Sequence, residues 1–158
     1  MNRAFASIAV IGISTVFVLL PISTRAQTAP ILIAEQMSAK DFNNRGVDKL
    51  ETKDYKGAIA DFNQALRLDP KNAKAYFNRG FAYSSLENYQ NAIEDYTKAI
   101  QMKPGDAEAF YNRGLAYSNL DNNKAAIADF EKAAQLYKQQ GQIDGYKDAQ
   151  ERIKELRE

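Results

Sequence analysis

The sequence predicts an all-α fold, a solenoid of three helix-turn-helix hairpins closed by a C-terminal helix. The tripeptide Asn-Arg-Gly recurs every 34 residues, at 44–46, 78–80 and 112–114. Within a period, apolar residues follow helical spacing, as Ala92, Tyr96 and Ala99 do at i, i+4 and i+7. Beyond the third period, one apolar stripe lies on an otherwise charged segment, which suits a helix that covers the open end of a repeat array.

The first 26 residues differ from the repeats. Arg3 precedes an uncharged run of 17 residues, Ala4–Leu20, and Thr24 and Ala26 then provide the small residues that a signal peptidase needs. This order is typical of a secretory signal peptide, here cleaved after Ala26. The alternative is an uncleaved membrane anchor, although the run is shorter than the ~20 residues that a spanning helix needs. The absence of cysteine excludes a lipoprotein anchor.

Residues 27–38 show no helical pattern and are interpreted as a linker. The three repeats then span Ala39–Asn72, Ala73–Asp106 and Ala107–Gln140. Small residues recur in phase where two helices of a hairpin must approach closely, and aromatic residues recur beside them. The recurring sets are Gly46, Gly80 and Gly114; Ala58, Ala92 and Ala126; Ala65, Ala99 and Ala133; Phe62, Tyr96 and Phe130; and Phe42, Tyr76 and Phe110.

Residues 141–158 are predicted to form the capping helix. Gly141 suits a left-handed residue at the end of the preceding helix, and Asp144 is expected to cap the new one. The apolar stripe then consists of Tyr146, Ala149, Ile153 and Leu156.

These recurring positions resemble the tetratricopeptide repeat (TPR), and the resemblance covers 102 of the 158 residues. It implies a right-handed solenoid whose first helices line a concave surface. Three positions depart from the pattern. Lys49 replaces the tyrosine found at 83 and 117, Asn123 replaces the one found at 55 and 89, and Lys138 replaces the closing proline found at 70 and 104. The first two departures are expected to soften their repeats, and the third lets the last repeat helix run on.

The composition argues against an enzyme. The chain has no histidine, cysteine or tryptophan, so the commonest general base, zinc ligands and thiol nucleophile are missing. No cofactor motif and no metal site are predicted. Of the 21 basic residues, Arg3 and Arg25 precede residue 27, so the remainder carries 19 basic and 20 acidic residues, a net charge of −1. This balance lacks the basic footprint of a nucleic-acid binder.

Arginine and aspartate recur together, 16 residues apart, on the first and second helix of each hairpin. The pairs are Arg45 with Asp61, Arg79 with Asp95, and Arg113 with Asp129. A charge that recurs with its opposite favours an ion pair that fixes the hairpin over a basic stripe for an acidic ligand.

A second recurring set, the asparagine ladder, comprises Asn44, Asn78 and Asn112. The same repeat position carries asparagines that hold an extended peptide backbone in the transferase that attaches N-acetylglucosamine to intracellular proteins. By resemblance, these three could bind a peptide, or they could bond within their own helices or to a neighbouring repeat. Four apolar residues are expected to line the same concave face: Phe77, Phe81, Tyr111 and Leu115.

A different TPR mode does not match. Heat-shock co-chaperones clamp a C-terminal carboxylate with two lysines, two asparagines and an arginine. The corresponding positions here are Asn43, Val47, Asn78, Glu108 and Asn112. Only Asn78 agrees, and Glu108 would repel a carboxylate.

The expected function is therefore a peptide- or protein-binding adaptor that acts outside the cytoplasm and assists complex assembly. The alternative is a structural scaffold, tethered by residues 4–20 or self-associating. Similar small exported arrays in photosynthetic and other Gram-negative bacteria suggest the periplasm or thylakoid lumen. A membrane partner is expected only if the N-terminal segment is uncleaved.

The cleavage hypothesis predicts a mature chain that starts near Gln27, because the small-residue exit ends at Ala26. Intact-mass spectrometry of the protein purified from its native cells would measure this. A mass that includes residues 1–26 would contradict cleavage and favour the anchor.

Overall fold

The computed structural model describes residues 37–158, which form seven α-helices and no strand. The helices are α1 (Ala39–Glu51), α2 (Tyr55–Leu68), α3 (Ala73–Ser85), α4 (Tyr89–Met102), α5 (Ala107–Asn119), α6 (Asn123–Gln139) and α7 (Ile143–Glu155). The predicted signal or anchor and nearly all of the predicted linker lie outside the described residues. No helix within residues 37–158 has the length and apolarity needed to cross a membrane.

Successive helices pack as three antiparallel hairpins, α1–α2, α3–α4 and α5–α6, with α7 against α6. Contacts also join α1 to α3 and α3 to α5, whereas the second helices of neighbouring hairpins are farther apart. Because the first helices lie closer together, the stack of described helices curves with α1, α3 and α5 on its concave side. The predicted all-α repeat solenoid is confirmed.

Side-chain caps begin most of the helices. Ser38 forms a capping box with Asp41, and the side chains of Asp54, Asn72, Asn88, Asp106 and Asn122 each accept a bond from a backbone amide in the first turn. The predicted cap at Asp144 is wrong. The N-cap of helix α7 is Gln142, two residues earlier, which makes no side-chain cap bond, and Asp144 lies within the first turn.

Each hairpin turn contains one residue in the left-handed conformation. Gly141 has a φ of 72°, as expected, and the equivalent residues of the repeats are Lys53, Glu87 and Asp121, with φ of 61°, 60° and 57°. The amide of the residue that follows bonds back to a carbonyl five residues earlier, as from Asn88 to Tyr83 at 2.9 Å. This pattern closes the end of a helix and reverses the chain in few residues.

The two helices of a hairpin touch at the recurring glycine. A Cβ placed on Gly46 would lie 2.6 Å from Cε1 of Phe62, and one on Gly114 would lie 2.9 Å from the same atom of Phe130. The ring that faces each glycine is almost fully buried, since Phe62 and Phe130 are 0% exposed and Tyr96 is 1% exposed. The absence of a side chain at these positions therefore lets an aromatic ring fill the centre of each hairpin.

Helix α7 covers the apolar end of the third hairpin. Without a closing proline, α6 extends to 17 residues, compared with 14 in α2 and α4. Its additional turn begins with Tyr137, which is buried together with Leu136 and with Ala149 of α7. Ile153 packs in a second cluster with Phe130.

Replacement of Gly46 by alanine is expected to lower the free energy of unfolding by about 1–2 kcal/mol. Displacement of the Phe62 ring by the new methyl group costs more than the ~1 kcal/mol that alanine gains over glycine in a helix. Gly105→Ala is the matched control, because a Cβ at Gly105 would meet no atom within 4 Å. Urea denaturation of both variants measures the difference, and a Gly46→Ala protein as stable as the parent would contradict the close-contact account.

Candidate functional site

The asparagine ladder lies on the concave helices, but its three members have different surroundings. Asn44 on α1 is exposed. On α5, Asn112 donates from Nδ2 to the carbonyl of Glu108 at 3.0 Å, a bond within its own helix. On α3, the Nδ2 atom of Asn78 is buried and has no hydrogen-bond partner among the described residues. The central asparagine is therefore the one whose hydrogen-bonding capacity the hairpins leave least satisfied.

Asn78 borders a cavity of about 250 Å³ between the N-terminal halves of α3 and α5. Phe77 adds an apolar surface, and charged residues surround the rest. The lining is completed by Ala73, Lys74, Lys103, Asp106 and Glu108. Lys74 and Glu108 come from facing helices, and Lys103 and Asp106 from the connection between α4 and α5. An asparagine beside an apolar ring at the edge of an open cavity is suited to hold a polar backbone and a neighbouring side chain.

The two apolar residues predicted on α3 differ in how far they are exposed. Phe77 packs on Tyr96, with 5.7 Å between ring centroids, and still faces the cavity. Phe81 is 42% exposed, which is high for a phenylalanine and leaves its ring available to a ligand.

The two apolar residues predicted on α5 contribute more to packing. The Tyr111 ring lies 5.3 Å from that of Phe130 and 6.4 Å from that of Tyr137, and Leu115 packs in the cluster that contains Ile153. One side of Tyr111 also borders a second cavity, of about 330 Å³, between α5 and α7. Its other lining residues are Asp148, Glu151, Arg152 and Glu155.

Every recurring arginine binds the aspartate of its own hairpin, as the 16-residue offset predicts. In the second hairpin, Nε and NH2 of Arg79 donate to the two carboxylate oxygens of Asp95 at 2.7 and 2.6 Å. Arg113 binds Asp129 in the same way at 2.7 and 2.7 Å, and Arg45 binds Asp61 at 2.9 and 2.5 Å. Such two-bond pairs fix both distance and orientation, so each pair ties a concave helix to its partner helix.

The remaining guanidinium nitrogen links neighbouring hairpins. NH1 of Arg79 donates to Oδ1 of Asn63 at 2.6 Å, and NH1 of Arg113 donates to Oγ1 of Thr97 at 2.9 Å. Asn63 and Thr97 occupy the same repeat position on the second helix of the preceding hairpin. The arginines therefore set the spacing between repeats as well as within them. This contact has no recurring signature in the sequence, because the acceptor changes from an amide to a hydroxyl.

Aromatic rings flank the later arginines, and the first hairpin uses lysine instead. The carbon of the Arg79 guanidinium lies 5.5 Å from the Tyr76 ring and 6.0 Å from the Tyr83 ring. Lys49 occupies the repeat position of Tyr83 in the first hairpin, and its Nζ lies 2.8 Å from Oδ2 of Asp61. Lys49 therefore supplies Asp61 with a second cation where the later hairpins have an aromatic ring.

The additional lysine changes the electrostatics of the first hairpin. Burial works to raise the pKa of the Asp61 carboxyl, but Arg45 and Lys49 together hold it below its usual range. Burial raises the pKa of Asp95, which has one cation to oppose it. Asp61 thus contributes stability above its unfolded pKa, and that contribution is lost as the pH falls through its lowered folded value.

Comparison with known proteins agrees with the repeat geometry. Family models for the tetratricopeptide repeat match residues 73–106 and 107–140, and a model for the TPR repeat matches residues 49–87. The TPR domain of Arabidopsis OM64 is 30% identical, with a TM-score of 0.69, and the match covers 75% of this chain and 93% of that one. The chain belongs to the tetratricopeptide-repeat family. No curated protein sequence gave a significant match.

Two further TPR domains are similar in structure. The second TPR domain of human RPAP3, in complex with the HSP70 peptide SGPTIEEVD, is 28% identical, with a TM-score of 0.68 and coverage of 76% of this chain and 95% of that one. The Sgt2 TPR domain from Aspergillus fumigatus is 26% identical, with a TM-score of 0.64 and coverage of 74% and 80%.

Replacement of Asp95 by alanine is expected to cost ~3 kcal/mol, because it leaves a largely buried guanidinium without its counter-charge. The side chains of Arg79 and Asp95 are only 19% and 6% exposed. Glu94→Ala is the control, since Glu94 is the exposed neighbour on the same helix. Thermal melts of the two variants should differ by many degrees, and equal melting temperatures would contradict the structural role of the pair.

Proposed function

We propose that this TPR protein is a non-enzymatic adaptor that binds an extended segment of another protein along its concave face. The observation that carries the proposal is the unsatisfied amide of Asn78 at the edge of the cavity between α3 and α5. A buried polar group without a partner is costly, so a ligand that supplies one gains affinity. TPR domains typically serve as protein-interaction modules, which supports a role in binding.

The ladder suits a peptide backbone because a side-chain amide both donates and accepts hydrogen bonds, as a peptide unit does. Asn78 would provide the central contact. Asn44 is exposed, and Oδ1 of Asn112 can accept a bond while Nδ2 remains bound to Glu108. Phe77 and the exposed ring of Phe81 would add a preference for apolar side chains. Three repeats form a short groove, so the affinity should be on the order of micromolar.

The peptide of the human RPAP3 complex supports groove binding in a similar domain, but its acidic end is a poor match for this chain. The carboxylate-clamp positions hold Asn43 and Val47 in place of a lysine and an asparagine, and Asn43 is only 7% exposed. Glu108 stands where that mode requires a second lysine, and it borders the cavity itself. A C-terminal carboxylate is therefore not the ligand that these residues favour.

The N-terminal pattern supports a further part of the proposal, that the adaptor acts outside the cytoplasm and assists assembly of a larger complex there. An exported array in the periplasm or thylakoid lumen would meet partners as they emerge from the membrane. A scaffold is the alternative, either tethered by residues 4–20 or self-associating. In that role, the concave cavity would stay empty.

A double change of Asn78 and Asn112 to alanine should weaken binding of a crosslinked and identified partner by about fivefold or more. Each lost hydrogen bond costs about 0.5–1.5 kcal/mol. Asn123→Ala is the control, because Asn123 is exposed on α6, away from the concave helices. Isothermal titration calorimetry measures the affinities after circular dichroism has established that each variant is folded. Equal affinity of a folded double variant and the parent would show that the ladder is structural.

A further inference from the structure

The charge on the concave side changes sign along the array. The second residue of each concave helix is exposed and lies at the same repeat position: Lys40 on α1, Lys74 on α3 and Glu108 on α5. None of the three forms an ion pair with another described residue. Carboxylates of α7 continue the negative end. At this repeat position the charge is therefore positive on α1 and α3 and negative on α5, although α1 also carries the exposed carboxylates of Asp48 and Glu51.

The cavity between α3 and α5 can hold an anionic side chain on its α3 side. Lys74 lies on that side, Glu108 lies on the facing α5 side, and Lys103 and Asp106 border the cavity from the connection between α4 and α5. Neither lysine forms an ion pair with a carboxylate within the described part of the chain. Asn78 lies next to them with its unpaired amide. A carboxylate beside Lys74 would gain a counter-charge, and the backbone that carries it would lie within reach of Asn78.

The cavity between α5 and α7 has the opposite preference. Asp148, Glu151 and Glu155 line it with one base, Arg152, whose NH1 is already bound to Glu155 at 2.9 Å. The Tyr111 ring forms another part of the wall, and an aromatic face is itself attractive to a cation. Lysine or arginine is the side chain that this lining complements.

We propose that the groove selects an extended segment of mixed charge, with an acidic residue at the α3–α5 cavity and a basic residue at the α5–α7 cavity. This inference rests on the proposed function and adds the class of segment. Successive concave helices are about 10 Å apart, and an extended chain advances about 3.3 Å per residue. The two charged residues of the segment should therefore lie about three positions apart. Segments with two acidic charges would meet the carboxylates of α7, and segments with two basic charges would meet Lys74 and Lys103.

Synthetic nonapeptides with an apolar centre provide the probe. Five versions differ only at positions 3 and 6, which carry Glu and Lys, Lys and Glu, two Glu, two Lys, or two Gln. Fluorescence anisotropy measures each affinity at low and at high salt. One of the two mixed-charge peptides should bind about fivefold or more tighter than the two-Glu and two-Lys peptides, and added salt should reduce the difference.

A charge reversal in the second cavity identifies the contact. Glu151→Lys changes the net charge of this lining from −2 to 0, so the better mixed-charge peptide should lose its advantage over the two-Glu peptide. Glu87→Lys is the control with the same change of net charge, because its turn position accepts lysine in the equivalent Lys53 of the first hairpin. The Glu87→Lys substitution should leave the order of the peptide affinities unchanged. Both sites are exposed, and circular dichroism checks that the variants are folded.

The outcomes separate the two proposals. If Asn78→Ala weakens binding but the affinity does not depend on peptide charge, or is highest for the two-Glu or two-Lys peptide, the charge-order inference is wrong. Binding in the groove would still be supported. Failure of all five peptides to bind, including the neutral one, would contradict both proposals.

Discussion

The contact between a glycine on one helix and a buried aromatic ring on the next sets the geometry of every hairpin. Gly46, Gly80 and Gly114 let Phe62, Tyr96 and Phe130 lie against the helix backbone, where a methyl group would clash at Gly46 and Gly114 and fit tightly at Gly80. Only at this short separation can arginine and aspartate, one residue away on their helices, form two hydrogen bonds at once. The close approach therefore determines both the hydrophobic core and the polar pairs that orient the concave helices.

The arginines extend this local constraint along the array. Because Arg79 and Arg113 each hold an aspartate in their own hairpin and an acceptor in the preceding one, neighbouring repeats cannot rotate freely past each other. A rigid array keeps equivalent concave residues at a fixed spacing before any ligand arrives. Preorganised sites of this kind lose less conformational entropy on binding, which is how a short groove can hold a peptide at all.

The 34-residue period was sufficient to predict the helices and the arginine–aspartate pairs, because each depends on residues that recur in phase. Features that depend on one repeat were harder to predict. The bond from Asn112 to its own helix distinguishes it from Asn78, although the two occupy the same repeat position. The cavity beside Asn78 includes Lys103 from a connecting loop, where periodicity carries no information. Helix α7 began before Asp144 because the turn at Gly141 determined its start.

The central claim is that the glycine-centred hairpins hold α1, α3 and α5 as a peptide-binding face. The most direct measurement is a ¹⁵N-labelled NMR titration of residues 37–158 with the tightest-binding peptide from a random pool. The account predicts chemical-shift changes centred on the Asn78 side-chain amide and on α3 and α5, with little change at the exposed positions of α2 and α4. Changes centred on α2, α4 and α6 would contradict it and assign binding to the opposite face.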